Sequence, residues 1–129
     1  MKPLIYALLL FPGLACAGDA SPPDHEQAYS TCLDASGGIN NGSVDACSSA
    51  VSEAAKIEMT HLYRQLYGKL LADAPDDAVK LDRAQKSWLI YRDLHCALAG
   101  SHVGSPMYSF CPMQLNISRV GELRELLGQ

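Results

Sequence analysis

The sequence predicts an all-α domain, a small bundle of about four helices stapled by two disulfides. Apolar residues recur at helical spacing along most of the chain, and the alternation typical of strands persists nowhere. Four cysteines, Cys32, Cys47, Cys96 and Cys111, form two pairs with the same separation of 15 residues. An even set of cysteines behind an apolar leader indicates disulfides formed in an oxidising compartment.

Residues 1–17 have the composition of a secretory signal peptide. Lys2 precedes an apolar run that is shorter than the roughly 20 residues needed to span a bilayer. We expect cleavage after Ala17, which leaves a single domain over residues 18–129 that is periplasmic or secreted. In the alternative interpretation, Leu14-Ala15-Cys16 is a lipoprotein site and Cys16 carries a lipid anchor.

The formal net charge is −4 at pH 7, with 14 acidic residues against 10 lysines and arginines. A nucleic-acid partner would require a basic face, so this balance argues against one. An acidic surface is compatible with a basic protein partner, whose approach it would steer. Solubility alone is the simpler interpretation of the same charge.

The first two helices are delimited by capping and breaking residues. The first is expected from Asp24 or His25 to Ala35, where a glycine-rich break follows. The second is expected from residue 44 to about residue 71, with Ser43 as its N-cap.

Two further helices are predicted in the second half of the chain. Asp76 and Asp77 open the third, which is expected to reach about Leu98. The last covers residues 107 to 127, where Pro112 should kink the helix or start it anew. Helical spacing predicts a buried face that includes these residues: Ala28, Cys32, Ala35, Val44, Cys47, Ala50, Val51, Ala54, Ala55, Ile57, Glu58, Leu62, Leu66, Leu70, Val79, Leu81, Ala84, Trp88, Leu89, Tyr91, Val120, Leu123 and Leu127.

Four cysteines allow three pairings. The equal spacing favours Cys32–Cys47 and Cys96–Cys111, each of which would close a helical hairpin. A disulfide that closes a loop of this length contributes about 3 kcal/mol in the chain-entropy model. A zinc site is disfavoured because the sequence contains no C-x-x-C.

The sequence offers little that points to catalysis. Glu58 and His61 form an E-x-x-H pattern, which is one half of a di-iron signature whose second half is missing. No nucleophile motif or glycine-rich phosphate loop occurs. We therefore expect a protein that is not an enzyme and that has no cofactor or metal site.

The segment from Gln85 to Cys96 reads Q-x-x-W-x-x-Y-R-x-x-x-C and resembles the lysozyme inhibitor LprI-like N-terminal domain family of bacterial envelope proteins. The resemblance covers residues 32 to about 126. Other residues that fit the family are Tyr63, Leu66, Trp88, Tyr91, Arg92, Arg119, Leu123 and the four cysteines. The sequence departs from the family at Met59-Thr60, where leucine and asparagine are usual, at Asn116, where threonine is frequent, and at Pro112.

Two interpretations of the motif residues are open. In the favoured one, Gln85, Trp88 and Arg92 form a core wedge and polar lock inside the bundle. Arg92 would then stack on Trp88 or pair with a carboxylate such as Glu58. In the other, the tryptophan and arginine are an exposed hot spot for a partner.

The resemblance implies an exported envelope protein that binds lysozyme or a related cell-wall hydrolase and occludes its cleft. The candidate binding loop contains Ser101, His102, Val103 and Ser105, held at its base by Cys96 and Cys111. A plain helix connection is the alternative interpretation of this loop. An immunity or envelope-interaction protein with a different protein partner is the alternative function, and an enzyme or metal protein is the least favoured.

Overall fold

The computed structural model describes residues 21–129, and the prediction of an all-α bundle is confirmed over that range. The predicted signal peptide and Cys16 lie outside it. Four helices make up the described part: α1 (His25–Ala35), α2 (Asn41–Asp73), α3 (Pro75–His102) and α4 (Met107–Leu127). Across residues 21–129, no helix combines the length and apolar character needed to cross a membrane.

The long helix α2 is the centre of the fold, because α1, α3 and α4 all pack against it. At 33 residues it is about 50 Å long. Successive helices run antiparallel, so α2 and α4 run in the same direction. Ser52 on α2 contacts Asn116 on α4, and further along Glu58 contacts Arg124.

Side-chain caps explain where the first two helices begin. Asp24 caps α1 by accepting a hydrogen bond from the Gln27 amide at 2.9 Å. The prediction that Ser43 caps α2 is wrong, because Asn40 is the N-cap and Ser43 is the third helical residue. The two side chains form a reciprocal capping box, in which each accepts a hydrogen bond from the other's backbone amide.

The last two helices also differ from expectation. α3 continues past Leu98 to His102, so part of the predicted loop is helical. α4 runs through Pro112 without a second start, with Cys111 and Met113 buried on either side of it. Proline removes one hydrogen bond, to the Tyr108 carbonyl, and packing of the neighbouring buried residues holds the helix across this gap.

The core lies between α2, α3 and α4 and contains Ala55, Met59, Leu62, Leu66, Leu81, Val120 and Leu123. Eight residues predicted to be buried are exposed: Ala28, Ala35, Ala50, Ala54, Ile57, Val79, Ala84 and Tyr91. The buried side of α2 instead carries Ser48 and Ser52 between its apolar residues. Their small side chains allow the tightly packed α4 to approach α2 closely.

Both predicted disulfides are confirmed. Cys32–Cys47 joins α1 to α2, with 5.7 Å between the Cα atoms. Cys96–Cys111 joins α3 to α4, with 5.4 Å between the Cα atoms. Each disulfide therefore closes one helical hairpin and holds the turn between its two helices.

Candidate functional site

The α3–α4 turn is shorter than the binding loop predicted from the sequence. Ser101 and His102 belong to the last turn of α3, and Val103 is the residue that ends that helix. Only residues 103–106 connect the two helices. Val103 exposes 76% of its surface at this turn, and Ser105 is also exposed.

Three contacts fix the α3–α4 turn to the bundle. The Cys96–Cys111 disulfide lies one to two helical turns below it. The ring of Tyr108 packs directly on Gly100, so close that a Cβ there would lie 2.6 Å from Tyr108 Cγ. The Tyr108 hydroxyl also lies 3.1 Å from Ser101 Oγ, within hydrogen-bond distance. These contacts attach the exposed turn to the ends of α3 and α4.

The α1–α2 turn, residues 36–40, has a similar construction. Cys32–Cys47 closes it, and the Ser43 hydroxyl donates a hydrogen bond to the Gly38 carbonyl at 2.7 Å. Gly38 has a φ of 112°, a conformation that other residues rarely adopt. Ile39 exposes 81% of its surface at the tip of the turn. Sequence analysis missed this residue, because an isolated isoleucine between glycine and asparagine carries no motif.

Trp88 lies beside two arginines at the α3–α4 interface. The guanidinium carbons of Arg92 and Arg119 lie 5.4 Å and 5.9 Å from the centre of its ring. Trp88 is half-buried and packs against the core. The stacking of Arg92 on Trp88 is therefore confirmed, and the pair belongs to the interior side of α3.

Buried hydrogen bonds tie the motif residues to the other helices. Arg92 Nη1 donates to Asn116 Oδ1 at 3.0 Å, and Asn116 Nδ2 donates to Ser52 Oγ at 2.8 Å. Arg119 Nε donates to Gln85 Oε1 at 3.0 Å. Asn116 is only 1% exposed, and its amide bridges α2, α3 and α4 because it offers both a donor and an acceptor. This arrangement corresponds to the predicted polar lock.

Tyr63 belongs to a polar contact at the α2–α3 interface. Its hydroxyl donates to Asp82 Oδ1 at 3.2 Å, and Lys86 Nζ donates to Asp82 Oδ2 at 2.7 Å. Burial and the hydrogen bond to Asp82 raise the pKa of the Tyr63 phenol. The hydrogen bond from Lys86 lowers the pKa of Asp82, and the same bond raises the pKa of Lys86.

Glu58 has different partners from those the sequence indicated. The prediction that Arg92 pairs with Glu58 is wrong, because Arg92 bonds Asp93 and Asn116 instead. Glu58 accepts hydrogen bonds from Arg124 Nε at 2.9 Å and lies 2.6 Å from His25 Nε2. This cluster joins the start of α1 to α2 and α4, so Glu58 of the E-x-x-H pattern has a structural role. His61, its sequence partner, is exposed.

The outward side of α3 carries an apolar stripe that the sequence analysis did not identify. Ile90, Leu94 and Leu98 follow one another at intervals of four residues and expose 61%, 64% and 59% of their surfaces. Tyr91 lies beside them, 52% exposed and stacked on His95. Tyr91 is therefore the one motif residue that points away from the others.

Within residues 21–129, no three histidine, cysteine, aspartate or glutamate side chains are grouped so that they could hold a metal ion. Comparison with known proteins gives one positive finding that bears on function. A family model described as Lysozyme inhibitor LprI matches residues 32–123. That span contains all four cysteines, both closed turns and the tryptophan segment. No curated protein and no solved structure matches the chain.

Proposed function

Because the chain belongs to the lysozyme inhibitor LprI family, we propose that it binds a lysozyme or related cell-wall hydrolase and inhibits it without catalysing a reaction itself. The observation that carries this proposal is the family match over residues 32–123. We further propose that the protein is exported and acts in the periplasm or outside the cell. The two disulfides support that location because they persist in oxidising compartments.

Inhibition would work by occlusion. Lysozymes cleave glycosidic bonds with two carboxyl groups placed in a cleft, and an inserted segment excludes substrate from them. The α3–α4 turn is the segment we assign to this role. Val103 is its exposed large apolar side chain, and Ser101, His102 and Ser105 beside it are exposed as well.

The rigidity of this turn supports the assignment. A flexible loop loses conformational freedom when it binds, and that loss weakens affinity. Cys96–Cys111 and the packing of Tyr108 on Gly100 order the turn before any partner is met. Binding of a hydrolase would therefore cost less conformational entropy in the turn.

The proposal is tested by titrating purified, oxidised protein into a lysozyme assay on suspended cell walls. We expect inhibition that saturates at one inhibitor per enzyme, with half-inhibition at or below about micromolar protein. A protein that leaves lysozyme fully active at ten times that concentration, and that shows no binding by calorimetry, would refute the proposal.

A second candidate function is supported by the stripe on α3. Ile90, Leu94 and Leu98 form an exposed apolar surface of the kind that marks protein contacts. It favours an envelope-interaction or immunity protein whose partner is not a lysozyme. A pull-down from envelope extract would separate the two functions, since the second predicts capture that Leu94→Lys abolishes and that added lysozyme does not displace.

A further inference from the structure

We infer that the protein docks on its hydrolase through one whole end of the bundle, where the α1–α2 turn and the α3–α4 turn lie side by side. We call this surface, residues 36–40 together with residues 103–106, the disulfide end. The inference rests on the proposed function and adds a second contact, centred on Ile39, to the turn that carries Val103.

The helix directions place both turns at the same end. The α1–α2 turn directly precedes Asn41, the first residue of α2, and the α3–α4 turn directly precedes Met107, the first residue of α4. Because α2 and α4 run in parallel, their starts lie together. A groove between these two helices is lined near their starts by Asp45, Ser49, Tyr108 and Ser109, and it reaches Glu53 and Lys56 further along α2.

Both turns present an aliphatic side chain on a fixed backbone. Ile39 and Val103 have the two highest exposed fractions among the large apolar side chains of residues 21–129, 81% and 76%. Each projects from a turn that a disulfide closes. Apolar side chains held in water by ordered backbone are removed from water on binding with little loss of entropy. Together, Ile39 and Val103 would give a partner a larger contact surface than either turn alone.

The distribution of charge identifies the partner. Residues 3–55 and residues 93–118 contain no lysine or arginine. Within residues 21–129, these stretches contribute α1, the first half of α2, the end of α3 and the start of α4, which is the half of the bundle that includes the disulfide end. The lysines and arginines of residues 21–129 lie in residues 56–92 and 119–124, from the middle of the bundle to its opposite end. Lys56 and Arg92 are near the middle, where Arg92 bonds Asn116.

The disulfide end is therefore acidic. Asp34 and Asp45 are exposed beside the α1–α2 turn. A basic lysozyme-type hydrolase fits this surface, because opposite charge steers association and leaves few like charges in contact. A second copy of this chain fits it poorly, since two acidic ends would repel each other.

The test replaces each tip residue with lysine, which removes the apolar contact and adds a charge that a basic partner repels. The variants are Ile39→Lys and Val103→Lys. The matched control is Val79→Lys, near the start of α3 at the opposite end, where the side chain is also exposed at 51%. Inhibition constants against purified basic lysozyme are measured, and circular dichroism and thermal unfolding verify that each variant is folded.

We expect Ile39→Lys and Val103→Lys each to weaken inhibition at least tenfold, and Val79→Lys to change it less than twofold. Asp34→Asn combined with Asp45→Asn leaves the turns intact and should slow association severalfold at low salt, with the difference fading as salt rises. This second variant keeps the inference testable if a lysine at either tip disturbs folding.

The outcomes separate the two proposals. Wild-type protein that neither binds nor inhibits lysozyme refutes the proposed function and the docking surface with it. Wild-type inhibition that Val103→Lys weakens and Ile39→Lys leaves unchanged refutes the two-turn surface only. Inhibition that neither substitution alters, or that Val79→Lys weakens equally, places the contact elsewhere. Dimerisation that Ile39→Lys abolishes would assign this end to self-association and overturn the inference.

Discussion

Gly100→Ala should destabilise the protein, although alanine is the better helix former. In an exposed helix interior, alanine is favoured over glycine by about 0.8–1 kcal/mol. At position 100 the new Cβ would lie 2.6 Å from Tyr108 Cγ and nearer still to two other ring carbons. Inserting a methyl group into a filled space costs about 1–3 kcal/mol. The collision therefore outweighs the gain in helix propensity.

The size of the effect depends on how far Tyr108 can move. Its side chain is 56% exposed, so the ring can swing outward rather than force the backbone apart. That movement separates the hydroxyl from Ser101 Oγ, now 3.1 Å away, and removes the cover from the end of α3. We take a collision cost of about 2 kcal/mol, the middle of the overpacking range, and subtract the propensity gain of about 1 kcal/mol, which leaves a net loss of about 1 kcal/mol in the free energy of unfolding.

Gly68→Ala is the matched control, because Gly68 lies inside α2 and a Cβ there would meet nothing within 4 Å. It should stabilise the protein by up to about 1 kcal/mol. The propensity gain is common to both variants, so the difference between them, about 2 kcal/mol, isolates the collision. Guanidinium denaturation of the oxidised protein measures both values.

A double-mutant cycle supplies the decisive comparison. In a Tyr108→Ala background the ring is absent, so Gly100→Ala should become neutral or stabilising, like Gly68→Ala. If Gly100→Ala stabilised the wild-type background as much as Gly68→Ala does, the ring of Tyr108 would not be packed on α3 as described. The rigidity assigned to the α3–α4 turn would then lose its main support.

Two further predictions concern the interfaces of α3. Trp88→Ala should lower the free energy of unfolding by about 3 kcal/mol, the low end for a buried tryptophan, because the ring is only half-buried. The protein that remains folded should inhibit lysozyme as the wild type does. A stable variant without inhibition would instead make Trp88 a binding residue. Asp82→Asn should bring the raised pKa of Tyr63 towards its ordinary value, which ultraviolet titration of the phenol measures. The same variant should lose less stability in acid than the wild type. The pKa of Asp82 is lowered in the folded state. The contribution of Asp82 to stability is therefore present above its unfolded-state pKa of about 4, and it disappears as pH falls through its folded-state pKa. In alkaline solution the sign is opposite, because the pKa of Tyr63 is raised in the folded state. The contribution of Tyr63 to stability is present below its unfolded-state pKa and is lost as pH rises through its folded-state pKa.

The helices and the disulfide pairing could be predicted because their signals are local. Glycine, proline and capping residues mark each break, and equal cysteine spacing matches the distance across a helical hairpin. Helix ends were less predictable. Asn40 and Ser43 are both good caps, and their reciprocal bonding decides between them only in three dimensions. The extra turn of α3 to His102 is supported by Tyr108, a residue of another helix.

The orientation of α3 could not be predicted from amphipathicity. An ordinary surface helix turns its apolar side to the core. In α3, Gln85 and Arg92 face the bundle, whereas Ile90 and Leu94 face outward. The inward polar side chains are accommodated because Asn116 and Arg119 on α4 satisfy their hydrogen bonds. Such partners are far away in sequence, and hydrophobic spacing alone places Leu81 and Trp88 correctly but Tyr91 wrongly.

The charge distribution on the surface also could not be predicted from the sequence alone. The two stretches without lysine or arginine, residues 3–55 and 93–118, are visible in the sequence but separated by 37 residues that carry cations. Whether they form one acidic region depends on the direction of each helix. With three antiparallel hairpins in succession, residues 21–55 and 93–118 lie towards the same end of α2, and each of these segments contains one disulfide. Had α4 run antiparallel to α2, the same residues would have put one closed turn at each end of the bundle. The proposed docking surface therefore depends on the topology as well as on the charge pattern, and for that reason we expect substitutions at Ile39 and Val103 to weaken the same interaction.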